Sequence, residues 1–334
     1  MKRDLTILFS SAGRRVELIH CFRRAAAELD VTCRMVAADL DPGWSPACQI
    51  ADAAYAVPCC THAGFLPAIR NLCQREKVRL VVPTIDTELA AYAGSAAEFA
   101  LQGIRVAVPP AAFVSLARDK LETARFLEAC GIAAPPTWPA DAQPAWPPDA
   151  YPLIAKPRQG SAGIGVQRLE NEDARQRFLA GRCARDAQNY VLQTLCAGRE
   201  LTVHAFYRSG QLVCAVPHHR RLVRAGEVCL AETVACPAAQ AAAAAIGRGF
   251  AGLAGVICFQ GFENHDAFAV TEINARFGGG YPLIDAAGGR FARWLMQEAL
   301  GLAPDGAPEV QAGLRMLRYD AAVFVPNPTR PCAT

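Results

Sequence analysis

The stretch TEINARFGGGYP (271–282) decides how the second half of the sequence is interpreted, because a strand pattern runs into a glycine loop. Successive side chains of a strand point to opposite faces. Glu272, Asn274 and Arg276 therefore share one face, and the apolar residues between them share the other. A carboxylate, an amide and a guanidinium in one row do not suit a hydrophobic core. The row indicates either a binding site or an exposed strand face with a solvated ion pair.

The oxygen atoms of this row suit a divalent cation. Mg²⁺ prefers oxygen ligands, keeps several waters and is completed by phosphate oxygens. Gln260 lies twelve residues before Glu272, on the preceding strand of a predicted hairpin, and offers a further oxygen. Arg276 can hold a phosphoryl group or a carboxylate through its fork of N–H donors.

Outward from this stretch, the second half alternates short strands, hairpins and glycine loops, which indicates an α+β architecture. The predicted strands are 153–157, 163–169, 190–195, 200–207, 211–219, 256–262 and 267–274. Helices over 237–252 and 290–300 would cover one face of a sheet. The first of these helices is rich in alanine, the best helix former.

The first 115 residues alternate strands and helices, which predicts a parallel sheet with helices on both faces. The predicted strands are 5–10, 33–39, 79–84 and 104–109, and the predicted helices are 14–29, 65–76 and 87–102. One further helix is predicted over 115–132. Seven of the 23 prolines lie between 134 and 152, which favours an extended surface connection. We favour anchoring over ligand stacking as the role of its two tryptophans.

Two glycine loops are candidates for phosphate binding. Residues 10–15 (SSAGRR) follow the first strand, but they contain one glycine where the dinucleotide fingerprint needs three. Asp39, at the end of the second strand, would contact a ribose only in that weak case. Residues 156–166 (KPRQGSAGIGV) place a lysine before a glycine loop between two strands. The backbone N–H groups of such a loop either close over anionic oxygens or form an ordinary hairpin.

Polar residues also follow the third strand, in PTIDTEL (83–89). Ligands of open α/β sheets bind at the carboxyl ends of the strands, so Asp86 and Glu88 are substrate candidates. Asp86 can equally cap the next helix.

The composition excludes several classes of protein. The 334 residues are 52% hydrophobic and 19% charged, which suffices for a buried core. A net charge of +3 without a long basic run gives no footprint for nucleic acid or an anionic membrane. No apolar run reaches the roughly 18 residues that span a bilayer, and no signal peptide is evident, so we expect a cytoplasmic protein. The 14 cysteines form no C-x-x-C pair, and we expect reduced, buried thiols, with Cys59–Cys60 the one pair to check for redox chemistry.

The ordered motifs of the chain resemble those of the ATP-grasp superfamily. They are Asp119-Lys120, Lys156-Pro157 with its glycine loop, Gln193-Thr194-Leu195 followed by Gly198-Arg199-Glu200, and Glu272-Ile273-Asn274-Ala275-Arg276. More narrowly, SSAGRR, the stretch 39–46, PTIDTEL and FGGGYP resemble short proteins related to one half of the carbamoyl-phosphate synthase large chain, a group that includes amino-acid ligases. Each motif is loose, but the whole set in this order is specific and covers nearly the whole chain.

This resemblance implies an α/β and α+β fold, in which an N-terminal parallel-sheet pre-ATP-grasp domain precedes a two-lobed ATP-grasp fold. The implied domains are 1–114 for the pre-ATP-grasp domain, 115–190 for the N-lobe with the lid, and 191–334 for the C-lobe with the metal and substrate site. The two lobes would clamp ATP between them.

The resemblance also implies roles for individual residues. Those that would bind ATP are Lys120 and Lys156 at the phosphates, Gly160, Ser161 and Gly163 in the lid, Gln193 and Leu195 at the hinge beside adenine, and Glu200 at the ribose. Those that would hold Mg²⁺ or Mn²⁺ are Gln260, Glu272 and Asn274, although many relatives have an acid at the position of Gln260. Lys156 and Arg276 would be catalytic, with Arg276 facing the transferring phosphoryl group or the substrate carboxylate. Arg220 and Arg221 would join Asp86 and Glu88 as substrate candidates.

The implied reaction is an ADP-forming ligation of a small carboxylate, such as an amino acid, to an amine through an acyl phosphate. Two alternatives stay open: phosphorylation of bicarbonate or carbamate as in carbamoyl-phosphate synthases, and a nucleotide-binding protein that is not a ligase, such as a sensor or an NAD(P)-dependent reductase. The expected partners are small molecules, with neither nucleic acid nor membrane. Whether the chain forms a homodimer is left open.

Overall fold

A computed structural model describes residues 3–142, 150–160, 163–181, 184–224, 226–306 and 309–326. The chain divides into two compact units. The first contains the described residues up to Ala107, Ala292–Asp305 and those from Leu317 onward. The second contains Val108–Phe291 and the described residues between Gly306 and Met316. Trp146 and the other residues of 143–149, in the proline-rich stretch, lie outside the described residues.

The first unit is built on a five-stranded parallel sheet. Its elements are β1 (Arg3–Ser10), α1 (Val16–Glu28), β2 (Val31–Asp39), α2 (Pro46–Ile50), β3 (Ala53–Ala56), α3 (Phe65–Arg75), β4 (Leu80–Pro83), α4 (Leu89–Leu101) and β5 (Arg105–Val106). The strand order is β3-β2-β1-β4-β5, so the order reverses at β1. Ile7, Leu8 and Phe9 of that central strand are fully buried, as expected for a strand covered on both faces.

The predicted parallel sheet is confirmed, with two differences in its strands. β3 was not predicted, because its four residues Ala53–Ala56 alternate between partly buried and exposed and carry little apolar signal. β5 has two residues rather than the six predicted, and it ends before Pro109 and Pro110. Proline has no N–H group to donate to a sheet.

The second unit begins with two helices and a four-stranded sheet of order β6-β9-β7-β8. Its elements are α5 (Ala111–Arg118), α6 (Lys120–Ala129), β6 (Thr137–Pro139), β7 (Leu153–Pro157), β8 (Gln167–Leu169), α7 (Glu172–Ala180), α8 (Ala184–Ala187) and β9 (Tyr190–Thr194). All three strand pairs are antiparallel. Leu153, Leu169, Phe178 and Leu192 form the core beneath this sheet.

Two predictions in this part of the chain are wrong. The single helix over 115–132 is two helices, because Asp119 has an extended backbone (φ −101°, ψ 111°) and its side chain caps α6 through the N–H groups of Leu121 and Glu122. The strand predicted over 163–169 begins only at Gln167. Gly163 and Gly165 have positive φ angles of 71° and 76°, which a strand does not accommodate.

The larger sheet of the second unit has six strands in the order β14-β13-β10-β11-β12-β15. The elements are β10 (Arg199–Arg208), β11 (Gln211–Arg224), β12 (Glu227–Thr233), α9 (Pro237–Gly249), β13 (Gly255–Asn264), β14 (Ala267–Asn274), α10 (Tyr281–Ala286), α11 (Phe291–Ala299) and β15 (Arg315–Leu317). The alanine-rich segment is the predicted helix, α9, which buries Ala239, Ala243 and Ile246. β12 was missed by the sequence prediction.

Near its end the chain passes from the second unit to the first, back to the second, and finally to the first again. From Ala292, α11 belongs to the first unit, where Trp294 and Leu295 are fully buried and Arg79 donates to the carbonyl oxygen of Ala299 at 2.9 Å. The following segment returns to the edge of the six-stranded sheet. There Thr233 donates its N–H to the carbonyl of Leu314 (2.9 Å) and accepts from the N–H of Gly313 (2.8 Å).

No helix within the described ranges is long and apolar enough to cross a membrane. The cysteines in the same ranges are free thiols, and Cys214 and Cys258 are buried as expected. Cys33 is only partly buried, and Cys59 is exposed.

Candidate functional site

The predicted metal ligands lie together on one face of the six-stranded sheet. Antiparallel register places Gln260 of β13 opposite Glu272 of β14. On its other side Gln260 is opposite Thr202 of β10, which is opposite His218 of β11. Residues that are paired across antiparallel strands share a face, so these four side chains form one row across four strands. The twelve-residue spacing in the sequence is thus a true cross-strand pair.

Glu272, Asn274 and Arg276 share a face as the alternation predicted, and they are linked by contacts. Asn274 Nδ2 donates to Glu272 Oε1 at 3.4 Å, and Arg276 Nη2 lies 3.5 Å from Asn274 Oδ1. Arg276 Nη1 also donates to the carbonyl of Phe277 at 2.9 Å. A single carboxylate beside two amide oxygens is a set of hard ligands that fits Mg²⁺ completed by phosphate oxygens. No group of three or more His, Cys, Asp or Glu in the described part of the chain could hold a metal ion.

Lys156, near the end of β7, is the residue of the candidate site on which several other predicted site residues act. Its Nζ donates to Gln193 Oε1 of β9 at 2.8 Å, and Gln193 is only 4% exposed. Burial lowers the pKa of the Lys156 ammonium, the nearby charge of Glu272 opposes this shift, and the positive charge of Lys120 adds to it. Glu200 also acts on the pKa of Lys156, in the same direction as Glu272. Residues far apart in sequence therefore act on the pKa of one ammonium group.

Lys120 is held at the start of α6 by the loop that follows β7. Its N–H donates to the carbonyl of Arg158 at 3.0 Å, and its Nζ donates to the carbonyl of Gly160 at 3.1 Å. Arg158 also pairs with Asp119 through Nη2–Oδ2 (2.6 Å) and Nε–Oδ2 (3.2 Å). Burial alone would raise the pKa of Asp119, but these bonds, with two backbone N–H groups, lower it. The helix start and the glycine loop are thus joined by hydrogen bonds.

The glycine loop itself is only partly described. Gly160 and Gly163 have positive φ angles of 148° and 71°, and a Cβ on Gly163 would meet no atom within 4 Å. Gly163 therefore faces open space, whereas a Cβ on Gly160 would lie 3.7 Å from Pro157 Cβ. Ser161, the third predicted lid residue, lies outside the described residues.

Glu200 and Arg220, predicted to bind ribose and substrate respectively, form an ion pair. Arg220 Nη1 donates to Glu200 Oε1 at 2.6 Å, and the Arg220 side chain is only 13% exposed. Arg221 lies on the opposite face of β11, where its Nη2 contacts Glu232 Oε2 at 3.1 Å. Strand alternation separates the two arginines, so Arg220, unlike Arg221, shares the face of the predicted metal ligands.

Leu195, the other predicted hinge residue, follows β9. Its side chain is 43% exposed, so an apolar surface is available beside Gln193. Its N–H donates to the carbonyl of Pro152 at 3.2 Å.

Two buried histidines on this face were not singled out by sequence reasoning. The rings of His204 and His218 lie 5.3 Å apart, and His218 is 1% exposed. The glycines of FGGGYP pack over them: a Cβ on Gly278 would lie 2.8 Å from His204 Cε1, and one on Gly280 would lie 2.7 Å from His218 Nε2. Burial, with the charges of Arg220 and His219, lowers the pKa of His218 to about 3. The signal available in the sequence was the glycine triplet of FGGGYP together with histidines at inward-facing positions of the predicted strands.

Glu88, a substrate candidate in the first unit, has a structural role instead. It is fully buried at the carboxyl ends of β1 and β4, and burial raises its pKa. Its Oε2 accepts from the hydroxyls of Ser10 (2.6 Å) and Ser11 (2.8 Å). Its Oε1 accepts from the N–H groups of Thr84 (2.7 Å) and Ile85 (3.2 Å). With both oxygens occupied, Glu88 holds the SSAGRR turn rather than a ligand.

Asp86 follows β4, and Asp39 is the last residue of β2. Asp86 is the first residue of a short 3₁₀ helix (Asp86–Glu88), and the side chain that caps this helix is that of Glu88, through the N–H of Ile85. Asp39 accepts from the N–H of Gly13 (2.7 Å) and of Leu40 (2.8 Å), so it stabilises the turn where a ribose contact was considered.

Two family profiles match parts of the chain. Residues 7–107 match the family described as the PylC-like N-terminal domain. Residues 186–322, which include the predicted metal ligands, match the family described as ATP-grasp in the biosynthetic pathway with Ter operon. The chain contains an ATP-grasp domain. None of the curated proteins matches its sequence.

Solved structures share the architecture of this ATP-grasp chain at low sequence identity. The biotin carboxylase domain of 2-oxoglutarate carboxylase from Hydrogenobacter thermophilus is 15% identical, with a TM-score of 0.69 over 92% of this chain and 73% of that chain. The L-amino acid ligase from Bacillus licheniformis is 17% identical, with a TM-score of 0.64 over 90% and 75%. The carboxyaminoimidazole ribonucleotide synthase from Aspergillus clavatus is 17% identical, with a TM-score of 0.65 over 93% and 80%.

These likenesses confirm the predicted fold: an N-terminal parallel sheet followed by an ATP-grasp fold with antiparallel sheets. The finer membership of a carbamoyl-phosphate synthase-like or amino-acid ligase subgroup stays a prediction, as do the three domains with their boundaries at 114 and 190.

Proposed function

We propose that this ATP-grasp chain is an ADP-forming ligase that joins a small carboxylate, such as an amino acid, to an amine at the expense of ATP. The observation that carries the proposal is the surroundings of Lys156. Burial and the positive charge of Lys120 both disfavour the ammonium form of Lys156, so the two lysines repel each other, and the negative charge of Glu272 opposes this effect. A polyphosphate with a divalent cation relieves that repulsion, because it brings negative oxygens to the lysines and a cation to the carboxylate.

The likeness to proteins whose structures contain nucleotides supports this proposal. The biotin carboxylase domain holds magnesium ADP and bicarbonate, and the carboxyaminoimidazole ribonucleotide synthase holds ATP. The likeness to an L-amino acid ligase supports an amino acid as the carboxylate. The exposed Leu195 gives the base an apolar surface, and Glu200 offers carboxylate oxygens to ribose hydroxyls.

The proposed reaction has two steps. One carboxylate oxygen of the first substrate attacks the γ-phosphorus of ATP, the bond to the β-phosphate oxygen breaks, and ADP leaves with an acyl phosphate behind. The amine nitrogen then attacks the acyl carbon, the bond from that carbon to the phosphate oxygen breaks, and the departing phosphate takes up the amine proton. Gln260, Glu272 and Asn274 would hold magnesium, which supplies charge neutralisation at the phosphate oxygens when bound. Lys120, Lys156 and Arg276 would stabilise the remaining charge in the transition state.

The direct test is ADP release by the full chain with ATP, Mg²⁺ and pools of amino acids and other small carboxylates, with and without amines. We expect release that depends on a carboxylate and an amine together. A carboxylate labelled with ¹⁸O should transfer one label to the released phosphate. Release that depends on bicarbonate alone would support the carbamoyl-phosphate type of reaction instead. If no pool stimulates ADP release while ATP binds, the ligase proposal is wrong.

Three variants connect this activity to the site. Lys156→Met and Glu272→Gln should each abolish ADP release, because they remove a phosphate contact and the only carboxylate among the metal ligands. Lys77→Gly is the matched control: Lys77 is exposed in the first unit and has a φ of 52°, a conformation that glycine adopts freely. Full activity of Glu272→Gln would exclude the metal assignment.

A further inference from the structure

The start of the proline-rich stretch is a strand of the four-stranded sheet, not a loose connection. β6 pairs with β9, with Thr137 opposite Gln193 and Trp138 opposite Leu192. The backbone is bonded to β9 at both ends of β6, because Thr194 donates its N–H to the carbonyl of Pro136 at 3.1 Å and Ala140 donates its N–H to the carbonyl of Tyr190 at 3.0 Å. Proline is compatible with this place because β6 is an edge strand.

A chain of three hydrogen bonds runs from this strand to Lys156. The hydroxyl of Thr137 donates to the carbonyl of Pro135 at 2.9 Å. Its hydrogen is then in use, so its oxygen accepts from Gln193 Nε2 at 2.9 Å. The opposite end of the same amide, Oε1, accepts from Lys156 Nζ at 2.8 Å. Thr137 thereby determines which end of the amide faces the lysine.

The orientation of this amide matters because the surroundings of Lys156 lower the pKa of its ammonium group. Burial and the charge of Lys120 both disfavour the protonated lysine, whereas Glu272, Cys196 and Glu200 favour it; the net effect is a lowered pKa. An amide oxygen at 2.8 Å stabilises the ammonium group, whereas an amide turned by 180° would direct N–H donors at it. Gln193 is 4% exposed, so water cannot easily replace the hydroxyl of Thr137 as the partner that fixes the amide.

We propose that Thr137 is a positioning residue for Lys156: through Gln193 it aims the ammonium group and keeps it available to an anionic phosphate oxygen. The inference rests on the proposed nucleotide site, and it makes the strand within the proline-rich stretch a part of that site. Thr137 does not touch the nucleotide in this proposal. Its effect passes through the Gln193 amide.

The test measures the pKa of Lys156 itself, without nucleotide. The chain has only four lysines, so after reductive ¹³C-dimethylation, which keeps their charge, the Lys156 signal can be assigned in NMR spectra by its loss in Lys156→Arg. Thr137→Val keeps the shape of threonine without the hydroxyl, and we expect it to lower the pKa of Lys156 by about one unit, equivalent to tenfold in the protonation constant. Thr137→Ser restores the hydroxyl and should restore the pKa.

Two further variants keep the proposal falsifiable. Thr123→Val is the matched control, because it also removes a threonine hydroxyl bonded to a carbonyl (Leu116, 3.0 Å), away from Gln193. In Gln193→Glu either side-chain oxygen can accept from Lys156, so adding Thr137→Val should then change nothing. An unchanged Lys156 pKa in Thr137→Val, or an equal shift in Thr123→Val, would overturn the positioning role.

A nucleotide measurement on the same variants separates this proposal from the proposed function. ATP should bind to Thr137→Val about threefold more weakly than to the parent chain at a pH midway between the two Lys156 pKa values, and normally to Thr137→Ser. A shifted Lys156 pKa in a chain that binds no ATP would refute the nucleotide site alone. Weaker ATP binding with an unchanged Lys156 pKa would refute the role of Thr137 alone.

Discussion

His218 should make the second unit sensitive to acid. Its imidazole is 1% exposed beneath Gly280, and burial, with the charges of Arg220 and His219, lowers its pKa to about 3. In the unfolded chain the same group titrates at about 6.5. Between these two values the unfolded state binds one more proton than the folded state, so the free energy of unfolding decreases as the pH falls, and the loss is complete below about pH 3.

The two pKa values give the size of this effect. Between pH 7.5 and pH 5.0 the free energy of unfolding should fall by about 2 kcal/mol through His218 alone. Urea unfolding followed by circular dichroism at the two pH values measures the total loss, and His218→Gln removes the titrating group. The loss should be about 2 kcal/mol smaller in His218→Gln than in the parent chain.

The control is His265→Asn, which removes an exposed histidine whose φ of 51° asparagine tolerates. It should leave the pH-dependent loss as in the parent chain. Equal losses in the parent chain and in His218→Gln would refute the reasoning, because they would mean that His218 titrates alike in the folded and unfolded states.

Three other substitutions test close contacts by thermal or urea unfolding. Glu88→Gln should cost about 1–3 kcal/mol, because an amide N–H₂ would face hydroxyl and backbone donors; an unchanged stability would mean that the carboxyl group is not the acceptor for all four. Gly280→Ala should cost about 1–3 kcal/mol, because its Cβ would lie 2.7 Å from His218 Nε2, and no cost would show that the loop yields freely. Asp119→Ala should cost about 1–2 kcal/mol through the lost cap of α6 and the lost ion pair with Arg158, whereas Asp119→Asn should recover the part that belongs to the cap.

The parts of the fold that depend on neighbouring residues could be predicted from the sequence. The parallel sheet follows from short apolar runs alternating with amphipathic helices, and the shared face of Glu272, Asn274 and Arg276 follows from strand alternation. The prediction of a single helix over 115–132 was wrong because apolar periodicity continues through Asp119. The extended backbone of Asp119 and the cap formed by its side chain divide the segment into two helices.

The parts of the site that depend on register between distant strands could not be predicted. The ion pair of Glu200 with Arg220 requires the pairing of β10 with β11, which places these residues side by side. The burial of Glu88 depends on the way β1 and β4 bring Ser10 and Thr84 together. No local pattern distinguishes a buried carboxylate of this kind from one at a substrate site.

The path of the chain between its two units has a consequence for synthesis on the ribosome. All five strands of the parallel sheet are made by residue 106, but the helix segment with the fully buried Trp294 and Leu295 emerges almost two hundred residues later. The apolar surface of the nascent first unit that later covers Trp294 and Leu295 therefore stays exposed until the main segment of the second unit, Val108–Phe291, has been translated. A chain stalled near residue 291 should engage chaperones more strongly than one stalled after Asp305.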